Sequence, residues 1–130
     1  MSCRRVTDST AVYQAEALSW LKENKNPAAL AGNRFHNTAN AIEAVQQLYA
    51  AGAVRVEVIV THNEPERIAK DGGSYADELE VTFPKGKAKS VIPVIKILKP
   101  NNAEDIDFEK AITETEQGDE PFLVWGLWWD

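Results

Sequence analysis

Pro121-Phe122-Leu123-Val124-Trp125-Gly126-Leu127-Trp128-Trp129-Asp130 closes the chain and holds three of its four tryptophans. A terminus is normally frayed and polar. One this apolar is expected to be held as a strand inside a sheet. Its two side-chain faces read Phe122, Val124, Gly126, Trp128 and Leu123, Trp125, Leu127, Trp129. A strand with one wet face alternates apolar and polar residues, and this one does not. Leu123, Trp125, Leu127 and Trp129 are the bulkier set and are assigned to the core. The other set then needs a cover of its own: another part of the chain, a partner or a ligand.

Working back from that strand, Val54 to Thr61 carries valine at every even position from 54 to 60, with charged residues at 55 and 57. Glu78 to Phe83 alternates cleanly until Pro84. Both read as strands. Asn37 or Thr38 caps a helix with Ala41, Ile42, Val45, Leu48 and Tyr49 on one face, and Gly52 stands at its stop position. Lys87 to Lys99 reads as a helix if Ser90 is its cap, because Pro93 then falls where no intrahelical amide bond is lost. A first helix is expected behind Asp8, Ser9 or Thr10, with Tyr13, Ala17, Trp20 and Leu21 on one stripe, broken by Asn26-Pro27. Gly32 to His36 is read as a brief edge strand. His62 to about Tyr75 is read as a loop with a helical turn near Glu66 to Ala69. Asn101 to Glu120 is acidic, with a short element around Phe108 to Thr115.

That order, β-α-β-β-α-β behind an extra helix, predicts an α+β fold of the ferredoxin-like split βαβ kind, with its first and third strands central. Residues 1–130 are read as one domain, long enough to bury a core without metal or disulfide staples, in which 1–32 form an N-terminal helical extension packed on the core. Leu48-Tyr49-Ala50-Ala51-Gly52-Ala53-Val54-Arg55-Val56, Gly72-Gly73-Ser74-Tyr75-Ala76-Asp77 and Leu127-Trp128-Trp129-Asp130 resemble segments of small bacterial proteins of unknown function. The resemblance covers about Phe35 to Asp130 and implies a bacterial source and an α+β domain. It brings no activity with it.

Apolar residues make up 44% of the chain and charged residues 26%, with a formal net charge of -6, values of an ordinary globular protein. The negative balance argues against a nucleic-acid duplex as partner, since phosphate binding needs a basic surface. It fits a basic protein partner, and equally plain solubility. No apolar run is long enough for a membrane span, and the basic start Met1 to Val6 has no apolar stretch behind it to make a secretory signal. With the single cysteine Cys3 no internal disulfide can form, and a cytoplasmic location is expected.

The chemistry-bearing residues are few. His36 and His62 are the two histidines, in no zinc-ligand spacing; no metal and no cofactor is expected. Gly72-Gly73-Ser74 does not open a helix, so it lacks the context of a phosphate cradle. The best catalytic pair is His62 with Asp77, which an antiparallel pairing of the two middle strands brings to one sheet end, where the two can exchange protons near neutral pH. A salt bridge or two solvated loop residues accounts for them as well.

The outer face of the sheet is the more informative surface. It carries Arg55, Glu57, Ile59, Glu78, Glu80 and Thr82, joined by Phe122, Val124, Gly126 and Trp128. Trp128 with Arg55, Glu57 and Glu80 would suit an amine-bearing or peptide-like ligand beside the gap at Gly126. The competing cover is the first helix through Tyr13 and Trp20. The sequence thus points to a non-catalytic small-ligand or protein-interaction module. The alternatives are a small acid/base enzyme using His62 and Asp77, or an acidic inhibitor or immunity-type protein that binds a basic partner. A monomer is favoured over a homodimer, because the first helix is available to cover the aromatic face.

Overall fold

The even valines set the centre of the sheet. Val56, Val58 and Val60 leave one face of β2 (Arg55–Val60) and are fully buried. β3 (Glu78–Pro84) runs antiparallel to it, with Val81 opposite Val56 and Leu79 opposite Val58. β4 (Phe122–Trp128) adds Trp125 opposite Val81 and Leu127 opposite Leu79, also fully buried. The computed structural model describes residues 13–60 and 64–129. It completes the sheet with a short β1 (Tyr13–Glu16) on the far side of β2, giving four antiparallel strands in the order β1-β2-β3-β4.

The fold is therefore α+β, but its strand order departs from the expected one. A split βαβ sheet has its first and third strands central; here β2 and β3 are central and each strand lies beside its neighbour in sequence. The first strand is also elsewhere. Residues 32–36 do not form an edge strand: Gly32–Phe35 is a one-turn helix, α2. Tyr13 to Glu16 are not helical, because the exposed side of β2 needs a partner, and Tyr13 opposite Val60 and Ala15 opposite Val58 supply one. Pairing outweighs the helical preference of Gln14, Ala15 and Glu16. Residues 13–32 are consequently part of the sheet and core rather than a helical extension laid upon it: Ala17, Leu21, Ala29, Leu30 and Ala31 are all buried.

Helices cover the valine face. α1 (Ala17–Glu23) and α3 (Thr38–Ala51) pack on β2, α5 (Ala88–Leu98) packs on β3 and against α3, and α6 (Phe108–Gln117) packs on α5. α4 (Pro65–Asp71) buries no side chain. In α3 the caps are those the sequence gives: the Asn37 side chain accepts the Asn40 amide at 2.8 Å, and Gly52 closes the helix at φ 121°. In α5 the start differs. Ser90 is not the cap; the helix grows out of a 3-10 turn at Lys85–Lys87, which leaves Pro93 inside it. The amide Pro93 lacks would have met the Lys89 carbonyl. Lys89 and Pro93 are both exposed, so water can satisfy that carbonyl.

Two polar clusters lock elements together. At one, the Tyr49 hydroxyl at the end of α3 donates to the Glu16 carboxylate at 2.6 Å and accepts the Val56 amide at 3.0 Å. Glu16 also caps α1, accepting the Ser19 and Leu18 amides at 2.8 and 3.1 Å. Partial desolvation works to raise the Glu16 carboxyl, but the bonds from Tyr49, Ser19 and Leu18 together outweigh it and hold it at about 2. A carboxyl depressed in the folded state stabilises the protein above its unfolded pKa and loses that contribution as pH falls through the folded value. Glu16 thus contributes an acid limb between 4.5 and about 2. Glu16→Gln should flatten that limb of a melting-temperature profile, and an unchanged profile would show that Glu16 caps nothing of consequence.

At the other cluster, buried Asn26 donates to the Gly73 and Ser74 carbonyls, and Asn24 donates to Ser74 at 2.9 Å. The Thr38 hydroxyl donates to the Asn26 carbonyl at 2.6 Å, and the Tyr75 hydroxyl accepts the Gly32 amide at 3.2 Å. This cluster fastens the connection between α1 and α3 to the chain entering β3.

Candidate outer-face site

The strand register fixes which residues share the face away from the helices. Glu57 lies directly opposite Glu80, and Glu80 opposite Gly126, so the three form one row across β2, β3 and β4. Arg55, Thr82 and Val124 form the next row on one side. Glu78 and Trp128 face each other on the other side. Directly opposed side chains have Cβ atoms about 5 Å apart, and diagonal ones about 7–8 Å. Two carboxylates thus stand side by side at the middle of the face, with Trp128 diagonal to Glu80.

Exposure varies across this surface. Ile59, Glu78 and Gly126 are buried; Glu57, Glu80, Thr82, Val124 and Trp128 are half-buried; Arg55 and Phe122 are exposed. The Arg55 guanidinium reaches the Glu57 carboxylate at 3.3 Å, an exposed pair worth little stability of its own. It neutralises one member of the carboxylate pair. The backbone beneath Trp128 is fixed from outside the sheet: the Asn102 side chain donates to the Gly126 carbonyl at 2.7 Å and accepts the Trp128 amide at 3.1 Å.

The first helix does not cover this face. Tyr13 sits on the valine side of β1, and α1 packs beside α3 on that same side. Trp20 donates its indole N–H to the Tyr13 hydroxyl at 2.9 Å and is half-buried. The reason is the strand at Tyr13 to Glu16, which brings the chain onto the helical layer before α1 begins.

Of the residues singled out in the sequence, Arg55, Glu57, Glu80 and Trp128 do share one face, and Glu57 and Glu80 are brought together by the register. Asp77 immediately precedes β3, and its carbonyl accepts the Trp129 amide at 3.0 Å. His62 lies outside the described residues, and with it the proposed His62–Asp77 pair. Among the described residues no group of three or more His, Cys, Asp or Glu side chains is placed to hold a metal ion. No described helix is long and apolar enough to cross a membrane.

Sequence reading missed two features. One is a shallow groove of about 330 Å³ between Trp20, Glu23, Lys25, Ile68 and the Gly72–Ser74 backbone. It depends on Trp20 standing half-buried beside Tyr13 of β1 while its ring also borders the Gly72–Ser74 segment, which a helical stripe does not reveal. The other is Asn102, the second of two adjacent asparagines at the head of an acidic stretch, with no local pattern to mark it.

No family model, no curated protein and no solved structure matches this chain.

Proposed function

We propose that the chain is a non-catalytic interaction module whose outer sheet face takes a cationic, peptide-like partner. The observation that carries this reading is the Glu57–Glu80 pair, two like charges directly opposed at the centre of a sheet face. Like charges in that relation are destabilising in a free sheet. The Arg55 guanidinium already balances Glu57 at 3.3 Å, so a partner's guanidinium or ammonium group would add a second positive charge along this acidic row, with the half-buried indole of Trp128 as a flat apolar neighbour for the rest of such a side chain. The net charge of -6 draws a basic partner towards the face and speeds encounter at low salt.

Titration calorimetry with an arginine-rich hexapeptide tests the reading. Binding is expected at low ionic strength and should weaken steeply with salt, as exposed ion pairs are screened. The double substitution Glu57→Gln, Glu80→Gln should weaken it at least ~10-fold, the effect of about 1.4 kcal/mol. Binding that ignores both substitutions would place the peptide elsewhere and remove the basis for this site.

A further inference from the structure

We infer that the side chain of Asn102 stands in for a fifth strand and holds the free edge of β4 closed to a second copy of the chain. Among the described residues β4 is an outer strand of the sheet. The Trp129 amide bonds to the Asp77 carbonyl, and the Lys85 amide to the Pro121 carbonyl, both at 3.0 Å in the β3–β4 register. Odd-numbered residues of β4 therefore bond to β3, and even-numbered ones point their amides and carbonyls away from the sheet. An open edge of this kind is a template for another strand. Asn102 occupies it as a peptide group would. Its amide nitrogen donates to the Gly126 carbonyl and its oxygen accepts the Trp128 amide, one acceptor and one donor two residues apart along the edge.

The side chain is delivered by a 3-10 turn, Asn101–Ala103, that follows Pro100 and is seated by buried Ala103. A strand running along β4 would have to displace it. Without it the edge is self-complementary. A twofold antiparallel pairing about Val124 sets Phe122, which is 54% exposed, opposite the side-chain-free Gly126 of the second copy. Phe122 then loses its contact with water on pairing, and the outward Val124 amides bond across the axis.

Light scattering over a concentration series tests the inference. The parent chain should remain monomeric where Asn102→Ala doubles in mass, with association at least ~10-fold tighter. Adding Val124→Pro to Asn102→Ala should restore the monomer, because proline removes an outward donor that the chain's own sheet does not use. Should Asn102→Ala fail to fold, Asn102→Asp decides the matter. It keeps the acceptor for Trp128 but turns an oxygen towards the Gly126 carbonyl, so it should associate more than the parent. Monomeric Asn102→Ala, monomeric Asn102→Asp where Ala does not fold, a dimeric parent, or a dimer that survives Val124→Pro would each overturn the inference.

Discussion

Trp129→Ala should be the most damaging single truncation in the chain, costing roughly 3–5 kcal/mol and lowering the melting temperature by roughly 10–20 °C. Trp129 is 2% exposed, although it lies beyond the last strand residue. Its ring packs edge-on to Phe35 at 5.2 Å, and its indole N–H donates to the Leu98 carbonyl at 2.9 Å. That carbonyl is one of those left without an intrahelical partner at the end of α5, and the Arg34 guanidinium shares it at 3.0 Å. Truncation would open a large cavity, unseat α2 from the sheet and strip one partner from the helix end. A domain of this size has roughly 5–15 kcal/mol of stability in total. Trp129→Phe keeps much of the ring contact and loses the hydrogen bond, so it should fall between parent and alanine. Urea unfolding of the three proteins measures both parts. A loss under about 1 kcal/mol for alanine would show that this residue closes no core.

Gly73→Ala should follow, at about 2–4 kcal/mol by the cost of broken buried hydrogen bonds. A Cβ there would collide with Asn24 Oδ1 and lie 3.0 Å from the Asn26 amide nitrogen. Asn24 cannot yield cheaply, since that oxygen accepts the Asn26 amide at 2.9 Å while its nitrogen donates to Ser74. Gly86→Ala is the matched control, with nothing within 4 Å of the added carbon. It should change stability by less than about 0.5 kcal/mol. Equal effects at the two glycines, measured by the same urea curves, would mean that the asparagine cluster does not fasten the α1–α3 connection.

The sequence discloses those parts of the fold where periodicity is long and signals agree. Alternating valines place both faces of β2; the tryptophan run places both faces of β4; Asn37 and Gly52 bound α3. It does not disclose β1, whose four residues Tyr13 to Glu16 include three helix formers and become a strand only because β2 lies beside them. Strand order is hidden for the same reason, being a matter of long-range pairing that no local pattern encodes. The start of α5 misleads because Ser90 is a good cap by type, whereas the 3-10 turn at Lys85–Lys87 initiates the helix without a side-chain cap. Membership of the outer face follows from alternation alone. The opposition of Glu57 to Glu80 does not, since it needs the register, and a slip of one residue would change every pairing on the face. Asn102 is legible only once the edge of β4 is in view.

Mapping backbone amide shifts of the isotopically labelled chain during titration with the arginine-rich hexapeptide is the most direct test of the outer face as a docking surface. The perturbed amides should cluster at Arg55, Glu57, Glu80, Thr82, Val124 and Trp128, the pattern should fade with added salt, and it should be absent from the Glu57→Gln, Glu80→Gln protein. Perturbations confined to the Trp20 groove or to the acidic stretch at residues 104–107, with the sheet amides unmoved, would contradict the account.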